Sequence, residues 1–157
     1  MAKSVKLTGR KISGGTAEGV AIVSKRPLSM MGSVMDLTSG VIQLGGHELE
    51  GQSIKDKILV YDSDYMSTSG AFGLLNMATV YQCGPKGIIW REAHNISASA
   101  AIYAGIPGID RLKEGSPWDF IETGDLVRMD ADRGIVEVTK KSGSPSSVQS
   151  RPRSHAV

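Results

Sequence analysis

Apolar and polar positions alternate from Val5 to Ile12 (Val5, Leu7, then Ile12 beyond Gly9), the two-residue period of a strand with one wet face. Ser13-Gly14-Gly15 interrupts it. Gly19–Ser24 (GVAIVS) predicts a second, more buried strand that Pro27 ends. A Met-rich irregular stretch over 28–39 leads to a short strand at Val41–Leu44, and Gly45-Gly46 turns the chain into His47-Glu48-Leu49-Glu50-Gly51. Asp56–Tyr61 (DKILVY) has the composition of a central strand, with charge only at its start. Beyond the polar segment Asp62–Ser69, Gly70–Gln82 predicts a helix, although Phe72, Leu75, Met77, Val80 and Tyr81 make no single clean stripe; Gly84-Pro85 stops it. Gly87–Trp90 predicts another buried strand, and Ser97–Ala104 a short helix of small residues that Gly105-Ile106-Pro107-Gly108 closes. Gly124–Asp130 alternates, Ala131–Gly134 turns and Ile135–Val138 returns, a hairpin in which Gly134 supplies a positive φ. About seven strands around a central β–α–β–α passage predict a mixed α/β sandwich rather than a doubly wound sheet.

Composition narrows the class. The chain of 157 residues suits one domain with a real core. Its single cysteine excludes a disulfide framework, a Cys-rich zinc site and a self-contained iron–sulfur cluster. No run approaches the roughly 20 apolar residues of a membrane span, and the charged N-terminus opens no apolar signal core. A reducing cytoplasm is the expected compartment. The formal charge of +2 is uneven. Residues 140–157 hold Lys140, Lys141, Arg151 and Arg153 with no acid, whereas the preceding residues carry 14 basic against 16 acidic groups. That Ser/Pro/Gly-rich end predicts a disordered basic tail behind a folded body of residues 1–139. The body has no basic patch interleaved with aromatics, so nucleic acid is not an expected partner.

Three hydroxyls adjoin in Ser67-Thr68-Ser69, between a predicted buried strand and a predicted helix. Strand ends that meet helix N-termini are where α/β sheets place ligands, and unpaired amides there hold carboxylates or phosphates. An ordinary N-cap needs one hydroxyl, so capping and ligand contact both stand as readings. A serine acts as a base only where amides or a cation stabilise its alkoxide; the cation would come from Arg91, Lys86 or a partner chain. His47 stands among glutamates, which suits a hydrogen-bonding residue at the surface more than a catalyst, and His94 just precedes the second helix, where a structural role competes with acid–base or phosphoryl chemistry. No two histidines have metal-ligand spacing, and nucleotide-binding glycine motifs are absent. Cys83 reads as a small core residue.

Two family resemblances follow. Ala98–Ile106 (ASAAIYAGI) is similar to the mobile phosphohistidine domain of phosphoenolpyruvate-using enzymes, with Ser99 at the position of that family's phosphoryl-carrying histidine; His94 would be the carrier in this second reading. A broader likeness covers residues 6–138. KLTGRKISGGTAEGVAIVS, GHELEGQSIKDKILV, the STSG segment, AIYAGIPGIDRL and TGDLVRMDADRGIVEV together resemble the small, swivel-domain subunit of aconitase X-type hydro-lyases. That resemblance implies a swivelling β/β/α sandwich closing over a separate large subunit that carries an iron–sulfur cluster. It also implies loss of water from a small hydroxy acid such as cis-3-hydroxy-L-proline or, in archaeal relatives, a mevalonate phosphate. It places the proton acceptor at Ser67 and no metal on this chain; Thr68, Ser69 and His47 are the expected substrate contacts beside it. Where the family carries a Gly-rich, lysine-bearing approach to the serine, this chain has Asp64-Tyr65-Met66. The change implies an altered hydroxy acid or lost activity, the latter leaving a non-catalytic assembly subunit.

Overall fold

The computed structural model describes residues 3–63 and 68–143. The first alternating run is split in two at Gly9, into β1 (Ser4–Thr8) and β2 (Arg10–Ser13). β1 pairs with the last strand, β10 (Ile135–Thr139), while β2 pairs with β8 (Gly108–Asp110) at the other end of the sheet. One continuous sequence pattern thus serves two edges, because β1 and β2 lie in different layers. The full order is β1-β10-β9-β3-β6-β7-β8-β2, with β9 Leu126–Asp130, β3 Thr16–Val23, β6 Ile58–Tyr61 and β7 Gly87–Trp90.

β3 joins the layers. Its first half, Thr16–Val20, pairs antiparallel with β9, and its second half, Ala21–Val23, pairs parallel with β6. β6, β7 and β8 continue in parallel. Two cores separate the layers. Leu7, Ile58, Val60, Ile89, Ile109, Val127, Met129, Val136 and Val138 fill the space between the antiparallel and parallel parts. Leu59, Tyr61, Ile88 and Trp90, the alternate residues of β6 and β7, face the other way, toward the helices α1 (Thr68–Thr79) and α2 (Asn95–Ala104). Both faces of β6 and β7 are therefore buried, which is why they read as unbroken apolar runs. The result is the expected β/β/α layering. A small hairpin, β4 (Met35–Asp36) with β5 (Val41–Ile42), covers the Met-rich segment, and a 3₁₀ turn at Pro117–Asp119 precedes β9.

The predicted hairpin forms as β9–β10, and Gly134 takes φ 67° in its turn. The first helix begins two residues earlier and ends three residues sooner than the pattern predicted. Gly73 explains its closeness to the body, since a methyl group there would overlap the Met30 carbonyl. The ragged apolar pattern of this helix also resolves: Gly70, Gly73, Leu74 and Met77 point inward, and two of the four are glycines that no hydrophobicity count registers.

Where the basic tail was expected, Lys140 and Lys141 remain tied to the body through Asp125, and residues 144–157 lie outside the described residues. Asp125 is fully buried. Its carboxylate accepts from the Glu122 amide at 2.8 Å, the Lys140 ammonium at 2.9 Å and the Lys141 amide at 3.1 Å. Burial alone pushes this carboxyl up, but those three donors together outweigh it and hold it below its ordinary value. A depressed carboxylate stabilises the fold at pH values above the unfolded pKa of about 3.9, and that stabilisation is lost as pH falls through the lower folded value. Asp125→Asn is therefore less stable than the native chain at pH 7, and the gap narrows as pH falls below about 4; urea titrations at pH 7 and in the acid range read this directly.

Candidate functional site at the ends of the parallel strands

Because β3, β6, β7 and β8 run parallel, their C-terminal ends share one edge, where open α/β sheets leave a crevice for ligands. Ser24, Asp62, Arg91 and Arg111 are the residues that follow these strands. Backbone hydrogen bonds lace the edge together: the Ser24 amide donates to Val60 O (2.8 Å), Arg91 to Tyr61 O (3.0 Å) and Arg111 to Arg91 O (3.1 Å). Both helices begin at this edge, α1 at Thr68 and α2 at Asn95, and neither has an acidic residue in its first turn.

Charged side chains follow the same line. Arg91 Nε donates to Asp62 Oδ1. Arg111 pairs with Glu92 at 2.7 Å. Asp110, fully buried, takes a two-pronged contact from Arg10 (2.9 and 2.8 Å) and also accepts from the Ala93 amide at 2.9 Å. That hydrogen bond to Asp110 raises the Arg10 guanidinium above its already high value. Of the two cations that the sequence offered to this loop, Arg91 lies at the same edge as Asp62. Lys86 lies at the opposite end of β7, its amide bonded to Lys57 O.

Ser67 lies outside the described residues. It is the position next to Thr68, the first residue of α1, and Thr68 and Ser69 are both exposed there. His47 reaches the same edge from a different direction. Its Nδ1 accepts the Leu49 amide hydrogen at 3.1 Å, so the neutral ring carries its proton on Nε2, 3.4 Å from Ser24 Oγ. Ser24 Oγ in turn donates to Glu48 Oε1 at 2.8 Å. Burial, with Arg26 adding to it against Glu48, lowers the His47 pKa and favours the neutral ring. His47 is 5% exposed, with Nδ1 bonded within its own turn and Nε2 facing Ser24 at the end of β3, so the described geometry gives it a structural place beside the crevice rather than an open face toward it. His94 caps α2, its Nδ1 accepting the Ile96 amide at 3.3 Å, and Ser99 Oγ is turned to Asn95 O at 2.9 Å. His94 and Ser99, the two residues that a phosphoryl-carrier reading would use, are both exposed, with His94 Nδ1 engaged as the cap of α2.

Cys83 does not suit an iron–sulfur cluster. It is buried, its thiol donates to Leu37 O at 3.2 Å, and burial pushes its pKa up, away from the thiolate that a metal requires. Among the described residues no three His, Cys, Asp or Glu side chains gather as a metal site, and no helix is long and apolar enough to cross a membrane. One further feature escaped the sequence reading. Between α1 and α2 runs a groove of about 370 Å³, lined by Thr68, Ala71, Phe72, Leu75, Ile96 and Tyr103 among others. The signal was present in the absence of any charged residue from both helices, but the pattern shows no groove until the helices are side by side.

Residues 6–138 match the family model of the aconitase X swivel domain. The chain belongs to that family. It is 40% identical over 139 residues to the phosphomevalonate dehydratase small subunit of Thermococcus sibiricus, a match covering 85% of this chain and 98% of that protein. The corresponding small subunit of Methanosarcina acetivorans is 38% identical over 140 residues, covering 89% and 95%. The crystal structure of Thermococcus kodakaraensis aconitase X in its holo form superposes with a TM-score of 0.79 at 39% identity, over 87% of this chain and 99% of that one. The swivel fold, the small-subunit character and the hydro-lyase family expected from the sequence are thereby established, and nearly the whole length of each relative is present here.

Proposed function

We propose that this chain is the small subunit of a phosphomevalonate dehydratase and that Ser67 takes the proton when water leaves the substrate. The observation that carries this reading is the end-to-end similarity to relatives that bear that name. It moves the expected substrate from cis-3-hydroxy-L-proline to a phosphorylated hydroxy acid; the Asp64-Tyr65-Met66 change removes the family's lysine, but the edge still carries Arg91, half-exposed and paired with Asp62. The iron–sulfur cluster is assigned to the large subunit, since Cys83 is a buried, hydrogen-bonded thiol.

The part left to this chain is proton chemistry. The start of α1, with no acid in its first turn, places a positive dipole end next to position 67 and favours an anion there. The amides of that first turn would orient the substrate carboxylate, whose adjacent C–H bond is the one that breaks. The test is to co-express this chain with its large subunit and supply phosphomevalonate and cis-3-hydroxy-L-proline separately. Water loss from phosphomevalonate alone is the expected result. Turnover confined to hydroxyproline would reassign the substrate, and inertness of an intact complex toward both would favour an assembly subunit.

A further inference from the structure

We infer that the outer face of α1 and α2 is the surface on which the large subunit docks, a conclusion that rests on the small-subunit reading above. A surface helix normally turns a polar, charged face to water. Here neither the 12 residues of α1 nor the 10 of α2 include a single Asp, Glu, Lys or Arg, in a protein that is 22% charged. Among the described residues, most of the large apolar side chains left exposed are on these helices or just past them: Phe72 (59%), Val80, Tyr81, Ile102 and Tyr103 (82%). Phe72 and Tyr103 both line the groove between the helices; exposed apolar surface of this kind marks an interaction site, and aromatic residues are the usual anchors of one. The groove between the helices gives a partner side chain somewhere to seat.

Position along the helices selects the occupant. The groove is continuous with the edge of the parallel strands, since Thr68 and Asn95, the first residues of the two helices, both line it. Whatever covers it borders position 67. The large subunit has to approach that edge to bring substrate to Ser67, whereas a second copy of this chain seated there would cover the approach and contribute nothing to it. The groove calls for an apolar, uncharged partner surface, since its polar lining is limited to Thr68, Asn95, Ser99 and the Tyr103 hydroxyl.

Binding of the full-length chain to its purified large subunit tests this, with Phe72→Glu, Tyr103→Glu and the milder Tyr103→Ala compared against Leu126→Glu. Leu126 is the control because it is also exposed (43%) but belongs to the antiparallel layer. Far-ultraviolet circular dichroism and thermal melts establish that each variant folds. Both glutamate variants are expected to weaken association at least about 30-fold, Tyr103→Ala less so, and Leu126→Glu not at all. Unchanged affinity in both glutamate variants overturns the inference, as does an isolated chain that self-associates through Tyr103 while binding the large subunit regardless. Association and turnover are read separately. A complex that forms through this face yet dehydrates nothing removes the proposed activity and leaves the docking surface. A working enzyme whose affinity ignores both substitutions does the reverse.

Discussion

Ser67→Ala, assembled with the large subunit, is expected to lose about 10²- to 10⁴-fold in kcat, the range over which a positioned proton acceptor accelerates a reaction. The complex should still form, because one hydroxyl is removed from a position that the inferred docking face borders without including. KM should change much less than kcat, since a base acts in the transition state and contributes little to holding the ground state. Thr68→Ala separates this from a mere loss of hydroxyl groups in the segment. Thr68 is exposed at the first turn of α1, and its removal should act on KM by a smaller factor. Equal losses in both variants would point to general disturbance of the helix start, and a normal kcat in Ser67→Ala would eliminate Ser67 as the base.

Trp90→Ala has the largest expected effect on the fold. Trp90 is fully buried at the end of β7, its Nε1 donates to the Tyr61 hydroxyl at 2.8 Å, and the two rings lie 6.2 Å apart at a tilt of 59°. Gly108 leaves the room this indole needs; a Cβ there would sit 2.6 Å from the ring. The indole thus joins β6, β7 and β8 beneath the helices. Its deletion removes both transfer energy and packing around a cavity, about 3–5 kcal/mol, or a fall in Tm on the order of 10 °C for a chain of this size. Tyr103→Ala, made at the most exposed large hydrophobic side chain among the described residues, should shift stability by less than about 0.5 kcal/mol. If the two variants melt together, the packing attributed to Trp90 is wrong.

The strands buried on both faces were legible because β6 and β7 need apolar residues at every position, and the hairpin β9–β10 because alternation and Gly134 agree. The break at Gly9 was not legible, because Val5, Leu7 and Ile12 keep their alternation while the chain passes from one layer to the other. β8 was hidden for another reason. Its three residues follow directly on the glycines and proline that close α2, and they form a strand only because β2 and β7 offer backbone partners on both sides. At the site, the hydroxyl segment and its helix start were readable from composition. The placement of Arg91 beside Asp62, and of Lys86 at the far end, depends on strand direction, which no local pattern encodes. His47 shows the same limit from the other side: in GGHELEG it reads as a surface hydrogen-bonding residue, yet it is buried and shares its imidazole between Leu49 and Ser24.

The central claim is that this chain supplies the group that moves the substrate proton. It is tested most directly by running the assembled enzyme in D₂O with phosphomevalonate and measuring deuterium at the carbon next to the carboxylate in recovered substrate. The native complex should incorporate label as water loss reverses, and the Ser67→Ala complex, intact by size, should incorporate essentially none. Label entering at the native rate without the Ser67 hydroxyl would place the proton acceptor on the large subunit and contradict the account.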